Sequence, residues 1–130
     1  MFVFTENLEG NTGYSCVARN LYKALSKYME VSSLEKIDIS KLSKDDFILV
    51  RPYFMDWRSI NTQARIIGHY ALEATILPER LVRECNDDRM YQIWVPSNYV
   101  KTIAVNNGII ESKIRVVHHG FDPKIFKVRE

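Results

Sequence analysis

The sequence predicts an α/β fold: a single Rossmann-like, doubly wound domain with a mainly parallel sheet of about six strands. Two stretches carry this prediction. At the start, the β-prone run 1–5 (MFVFT) leads through a glycine-containing loop into an amphipathic helix. Near the end, residues 91–117 read as strand, capped helix and strand, which is a βαβ unit. Alternating strands and helices with short connections favour a parallel sheet.

The first half of the chain supplies four of the expected strands. Strands are predicted at 1–5, 30–34, 46–51 (DFILVR) and 65–70 (RIIGHY). Between the first two, a helix begins near Tyr14 and carries a wide apolar face of residues at helical spacing: Val17, Leu21, Ala24, Leu25 and Tyr28. The spans 37–42 and 52–60 can each hold a short helix or an irregular loop.

The second half supplies two helices and two strands with clear boundaries. Pro78 opens a helix, because proline suits the first turn, and its inner face holds Leu81, Val82 and Cys85. Pro96 ends the strand 91–95, and Ser97 stands where a helix N-cap is expected. The helix that follows has one apolar face (Val100, Ile103, Ala104) and ends at the left-handed stop Asn107-Gly108. The last strand, 114–117, leads into the polar loop 118–123.

Length and composition exclude several classes. The chain has 130 residues, enough for one domain (1–130), and 46% of them are hydrophobic. Its net charge of +2 comes from interspersed charges, so no nucleic acid partner is expected. It has no apolar run long enough for a transmembrane segment and no signal-peptide pattern, so a cytoplasmic location is expected.

Cofactor and metal motifs are also missing from the sequence. Gly10 and Gly13 do not complete the dinucleotide fingerprint, and no Walker lysine follows them. The sequence contains no Asp-x-Asp motif of the kind that holds a metal-bound diphosphate. Asp87 and Asp88 are directly adjacent and so do not have that spacing. We therefore expect no cofactor and no metal.

Ligands of open α/β sheets bind at the carboxyl ends of the strands. This rule selects the segments 6–14, 51–57, 69–73, 97–98 and 118–122. They are expected to converge on a polar cleft with aromatic walls from Tyr53, Trp57 and Tyr70. Such a cleft suits a sugar, and it suits other small polar ligands equally well.

Two motifs resemble those of GT-B glycosyltransferases of the family 4 type. The segment 13–25 (GYSCVARNLYKAL) resembles the family opening G-Y-G-x-V-A-R-N-L-x-x-A-L, with Ser15 where a third glycine often stands. The end of the chain is similar to the end of the family's N-terminal domain at these positions: Val95-Pro96-Ser97, Lys101, Asn107-Gly108, Lys113-Ile114, Val116, His119-Gly120, Asp122-Pro123 and Phe126.

The resemblance implies transfer of a hexose from a nucleotide-diphosphate sugar to an acceptor hydroxyl. It suggests His69 as the catalytic residue, in contact with the sugar or phosphate. The substrate-binding positions are expected at Gly10, Gly13, Tyr14, Glu73, Ser97, Asn98, His119, Gly120 and Asp122. Several of these residues also have a structural interpretation that needs no ligand. The two N-terminal glycines can simply form a turn, His69 can bond a backbone carbonyl, and Asp122 can cap a turn.

The resemblance covers the N-terminal, acceptor-binding half of such an enzyme, and we expect the C-terminal donor-binding domain to be absent from this chain. The expected partners are a nucleotide-sugar, bound mostly by the missing domain, and a glycan or lipid acceptor. A separate donor-domain chain or a homodimer is also possible, and the isolated chain is expected to be inactive. Two alternatives stay open: a noncatalytic binding or assembly protein with this fold, and another small nucleotide-binding or signalling domain.

Overall fold

Six strands form one sheet in the computed structural model of the chain, which describes residues 1–72 and 74–126. They are β1 (Phe2–Phe4), β2 (Val31–Ser33), β3 (Phe47–Val50), β4 (Arg65–His69), β5 (Met90–Val95) and β6 (Ile114–Val116). Neighbouring strands are all parallel, in the order β2-β1-β3-β4-β5-β6. The α/β fold class and the six strands predicted from the sequence are therefore confirmed.

The described residues form three α-helices, which cover the two faces of the sheet: α1 (Gly13–Leu25), α2 (Glu79–Cys85) and α3 (Asn98–Asn106). On one face, Ala18 of α1 packs with Phe2 and Phe4 of β1. On the other face, Leu81 of α2 and Val100 of α3 belong to the larger hydrophobic cluster. A parallel sheet with helices on both faces is the doubly wound arrangement, and it explains why the central strands are apolar on both sides.

The helix boundaries follow local hydrogen bonds that the sequence predicts. Ser97 caps α3, its hydroxyl accepting a hydrogen bond from the Val100 amide at 3.2 Å. At the other end, Gly108 has a left-handed backbone with a φ of 91°. The amides of Gly108 and Ile109 donate back to the helix carbonyls, which is the geometry of a Schellman stop. Both predicted boundaries of this helix are confirmed.

The apolar face of α1 is divided between two environments, which the sequence pattern does not reveal. Leu21 and Leu25 pack against the sheet. Val17, Leu21 and Ala24 line a groove of about 550 Å³ that α1 forms with residues 118–124. Tyr28 lies beyond the end of the helix and is 86% exposed. The prediction that it belongs to the apolar face of this helix is therefore wrong.

The two spans left open in the sequence each contain one turn of 3₁₀ helix, at Ile39–Lys41 and Trp57–Ser59. Two further 3₁₀ turns lie at Leu34–Lys36 and Glu111–Lys113. Among the residues that the structure describes, no helix is both long and apolar enough to cross a membrane.

Candidate functional site

The strand order places a topological switch point between β1 and β3. From β1 the chain moves outward to β2 on one side, whereas β3 to β6 extend in the opposite direction. In open α/β sheets, ligands bind in the crevice that opens at the carboxyl ends of the strands at such a point. Two segments flank it here: the residues after β1, and residues 51–59 after β3, which we call the β3 loop. Residues 117–126, which follow β6, we call the β6 loop.

An arginine and a glutamate meet at this switch point. The Nε atom of Arg51 lies 3.0 Å from Oε1 of Glu6. That nitrogen is buried and has no hydrogen bond among the described residues, so the contact is a charge pair without a directed hydrogen bond. Burial raises the pKa of Glu6, and the positive charge of Arg51 offsets part of that rise. The pair therefore places two opposite charges side by side at the switch point.

The guanidinium of Arg51 lies over two neighbouring aromatic rings, whose centroids are 6.5 Å apart. The guanidinium carbon of Arg51 lies 3.6 Å from the ring centroid of Tyr14 and 4.8 Å from that of Phe54. Both distances are within the range of cation–π attraction. Tyr14 stands in the first turn of α1, and Phe54 belongs to the β3 loop, so this stacking joins the two sides of the switch point.

His69, the last residue of β4, lies next to this group. Its side chain is 5% exposed, and its ring meets the ring of Tyr14 edge-on at 6.2 Å between centroids. Its Nε2 atom lies 3.2 Å from Nε2 of His119 in the β6 loop. Burial lowers the pKa of His69 to about 4, with smaller contributions from His119 and Arg51. Burial also lowers the pKa of His119, so both imidazoles are neutral at pH 7.

Of the site residues predicted from the sequence, the structure therefore brings together Tyr14, His69 and His119. Gly13 begins α1 on the same side, and a Cβ added there would meet no atom within 4 Å. A ligand thus has open space at this position. Gly10 has a packing reason instead, because a Cβ there would lie 2.5 Å from the hydroxyl of Ser15.

The remaining predicted positions lie outside this cluster or have local roles. The Ser97 side chain caps α3, and Asn98 lines a separate surface depression beside Lys101 and Glu111. The Asp122 carboxylate accepts a hydrogen bond from the Lys124 amide at 2.8 Å and so caps its own turn. Gly120 is exposed in the β6 loop. Glu73 lies outside the described residues.

The predicted aromatic walls were partly wrong. Trp57 and Tyr70 have no exposed surface and belong to the hydrophobic core, so neither can contact a ligand. Tyr14 and Phe54 take that place, together with the partly exposed ring of Tyr53, which meets Phe54 edge-on. The rule of strand ends selects the right segments, but it does not say which side chains of a loop turn inward.

Sequence reasoning also did not single out Glu6, Arg51 and Phe54. The available signal was their position one to four residues after a strand, together with opposite charges on the first two. Within residues 1–72 and 74–126, no three His, Cys, Asp or Glu side chains are grouped so that they could hold a metal ion.

Searches against protein-family models, curated proteins and solved structures found no match for this chain. The resemblance to family 4 glycosyltransferases therefore rests on the motif residues quoted above.

Proposed function

We propose that this chain is the acceptor-binding half of a glycosyltransferase that moves a hexose from a nucleotide-diphosphate sugar to an acceptor hydroxyl. The observation that carries the proposal is the cluster at the switch point: Arg51, paired with Glu6 and lying over the rings of Tyr14 and Phe54, beside the buried His69. The donor would be bound mainly by a second domain, as the resemblance implies.

The chemistry of the cluster suits a polyhydroxylated ligand. A carboxylate accepts hydrogen bonds from sugar hydroxyls and a guanidinium donates to them, so Glu6 and Arg51 together match both functions of a hydroxyl. The exposed parts of Tyr14 and Phe54 offer flat apolar surface for the carbon face of a sugar ring. The pair is close to electrically neutral, which favours a neutral glycan portion over a free anion at this position.

His69 is suited to orient the acceptor hydroxyl. Its neutral imidazole can accept a hydrogen bond from that hydroxyl when the oxygen attacks the anomeric carbon. In the transfer, the new bond joins this oxygen to the anomeric carbon, and the bond from the anomeric carbon to the diphosphate breaks. A group with a pKa of about 4 does not retain a proton at pH 7. We therefore assign the proton finally to the departing diphosphate.

The test is an NMR titration of the labelled chain with methyl α-glucoside, maltose and UDP-glucose in parallel. We expect saturable shifts at Tyr14, Phe54 and His69 with a sugar, and weaker changes with the nucleotide-sugar. Arg51→Gln should reduce sugar affinity about tenfold, because it removes a charged hydrogen-bonding group. Arg65→Gln is the matched control, since Arg65 also lies over aromatic rings but at the opposite end of β4.

Two outcomes would contradict the proposal. If no sugar produces saturable shifts at the cluster, acceptor binding by these residues is excluded. If UDP-glucose binds more tightly than any sugar and at another place, the nucleotide-binding alternative is favoured.

The noncatalytic assembly alternative has one observation in its favour. Three apolar side chains of the β6 loop, Phe121, Ile125 and Phe126, are exposed. Exposed apolar groups of this kind are common at protein–protein contacts. A sedimentation experiment on the purified chain distinguishes the two readings. A dimer that buries the switch point and shows no sugar shifts favours assembly, whereas a monomer with sugar shifts favours the acceptor-binding half.

A further inference from the structure

A buried carboxylate on α2 forms hydrogen bonds with the β3 loop. Glu84 of α2 is 3% exposed, and its carboxylate accepts three hydrogen bonds. The backbone amide of Tyr53 donates to Oε2 at 2.6 Å, and the indole Nε1 of Trp57 donates to the same atom at 3.0 Å. Arg80 donates to Oε1 at 2.7 Å from the preceding turn of the helix. One side chain of α2 thus ties two points of the β3 loop.

These donors keep Glu84 charged. Burial opposes ionisation, but the hydrogen bonds from Tyr53, Arg80 and Trp57, with the charge of Arg80, outweigh it and hold the pKa of Glu84 below its ordinary value. Hydrogen bonds to an ionised acceptor are stronger than those between neutral groups. The connection between α2 and the loop is therefore a strong one.

The loop needs such a connection at Tyr53. This residue has a φ of 71°, the left-handed region, and it is the one residue other than glycine with a positive φ in the described parts of the chain. A bulky side chain is rarely found there, because its Cβ approaches the backbone too closely. A strained backbone of this kind persists only where surrounding interactions hold it. The Tyr53 amide is the group that donates to Glu84.

The turn at Tyr53 decides where two residues of the switch-point cluster lie. Arg51 precedes it by two residues and Phe54 follows it directly. The Phe54 amide also donates to the Arg51 carbonyl at 3.3 Å, which closes the turn. A rotation at Tyr53 would therefore move Phe54 away from the Arg51 guanidinium.

We propose that Glu84 is the positioning residue of the candidate site: by holding the left-handed turn at Tyr53, it keeps Phe54 beside Tyr14 and the Arg51 guanidinium over both rings. The hydrogen bonds of Glu84 go to Tyr53, Trp57 and Arg80, so it acts on Arg51 and Phe54 through the loop. The significance of the proposal for ligand binding rests on the proposed function, but the positioning itself is testable without a ligand.

The first experiment measures how fast phenylglyoxal modifies Arg51, with peptide mass spectrometry as the readout. Glu84→Gln keeps the size of the side chain and removes the charge. We expect it to raise the Arg51 rate by about threefold or more, as the stack opens. Arg65, in the same molecules, is the internal reference and should not change. Glu79→Gln is the matched control, because Glu79 lies exposed on the same helix and forms a solvent-exposed salt bridge with Arg83.

A double-mutant cycle separates positioning from a general loss of structure. Glycine adopts a left-handed backbone without strain, so in the Tyr53→Gly background the turn no longer depends on Glu84. Glu84→Gln should then change the Arg51 rate by a clearly smaller factor than it does in the natural chain. An equal factor in both backgrounds would overturn the proposal.

Other outcomes are equally decisive. An Arg51 rate that stays unchanged in Glu84→Gln, while the NMR signals of the Tyr53 amide and the Trp57 indole move, would overturn the proposal. If Glu84→Gln does not fold, Trp57→Phe removes a single donor and should raise the Arg51 rate more modestly; no rise there would also overturn it. A failure of every sugar to bind would contradict the proposed function and leave these rates interpretable.

Discussion

The β3 loop and the β6 loop both bring a side chain to the same place, but they are built in opposite ways. Trp57 and the Tyr53 amide tie the β3 loop to a buried carboxylate in the core. The β6 loop is bonded to the sheet at its start, where the Val117 amide donates to the Val95 carbonyl, and then closes on its own turn at Asp122. The two residues after Val117 also bond distant segments, because His118 contacts the Pro96 carbonyl and His119 contacts His69. One side of the site is therefore tied to a buried group of the core, whereas the other is anchored over residues 117–119 and closes locally beyond them.

This difference suggests a division of roles. Arg51 is held in one place before any ligand arrives, so its ordering has no further entropic cost on binding. His119 reaches the site from an exposed segment, which can adjust at a smaller free-energy cost. Changes to the two loops should therefore have very different effects on the stability of the whole domain.

The largest expected contrast is between two aromatic truncations. Trp57→Ala removes a fully buried ring and one donor to Glu84, so we expect the free energy of unfolding to fall by about 3–5 kcal/mol. Phe126→Ala removes an exposed ring of the β6 loop and should change it by no more than about 0.5 kcal/mol. Urea denaturation of both variants measures the difference. Similar losses in the two would show that the loops are equally integrated.

The next largest effect that we expect is a pH dependence of the free energy of unfolding, which comes from His69. The unfolded histidine has a pKa near 6.5, and burial lowers that of the folded residue to about 4. The unfolded state therefore takes up a proton first as the pH falls, and stability present above pH 6.5 is lost towards pH 4. The loss amounts to about 3 kcal/mol at most. Urea midpoints between pH 7 and 4 should show it in the natural chain.

The control for this pH dependence is His69→Asn, which cannot titrate in the same range. Over the same pH range, His69→Asn should lose less stability than the natural chain, by about the contribution of His69. An identical slope for His69→Asn and the natural chain would mean that His69 is not the group responsible.

A smaller contrast comes from two glycines. A Cβ at Gly68 in β4 would lie 2.7 Å from Pro52 Cγ and 2.9 Å from Ile93 Cδ1, so Gly68→Ala should cost about 1–3 kcal/mol. Gly120→Ala in the β6 loop adds a Cβ that meets no atom within 4 Å, and we expect a change within about 0.5 kcal/mol. Thermal unfolding compares the pair. Two equal shifts would place the β6 loop in a packed environment after all.

The smallest expected effect is local. Asp122→Ala removes the side-chain cap on the Lys124 amide, so hydrogen exchange at Lys124 should accelerate while the global free energy of unfolding changes by about 0.5 kcal/mol or less. Exchange at Val117, which is bonded to β5, should stay as it is. A global loss that follows the local one would show that the turn supports the sheet.

The fold could be predicted from the sequence because its signals are local. Pro96 and Ser97 mark a strand end and a helix start, and Asn107-Gly108 marks a helix stop, through interactions within a few residues. Short β-branched and aromatic runs between these helix and strand boundaries predict the strands. Strands that alternate with helices in this way predict the α/β fold.

The candidate site could be predicted only in part, because its contacts join distant segments. Arg51 and Glu6 look like ordinary surface charges until the sheet sets β1 beside β3. Trp57 and Tyr70 follow strand ends as the rule requires, yet both turn into the core. Pro52 marks a turn, but the left-handed residue after it is a tyrosine, and the carboxylate that bonds its amide belongs to another element, α2.

The contact between His69 and His119 has a consequence for the hydrogen atoms that the rings carry. The two neutral rings meet through Nε2 on both sides, and a hydrogen bond there needs the hydrogen on one nitrogen and a lone pair on the other. The two histidines must therefore be opposite tautomers, one protonated at Nε2 and the other at Nδ1. A ligand that requires His69 to exchange its tautomer would oblige His119 to exchange as well. Binding at the end of β4 would therefore change which ring nitrogen carries the hydrogen in the β6 loop.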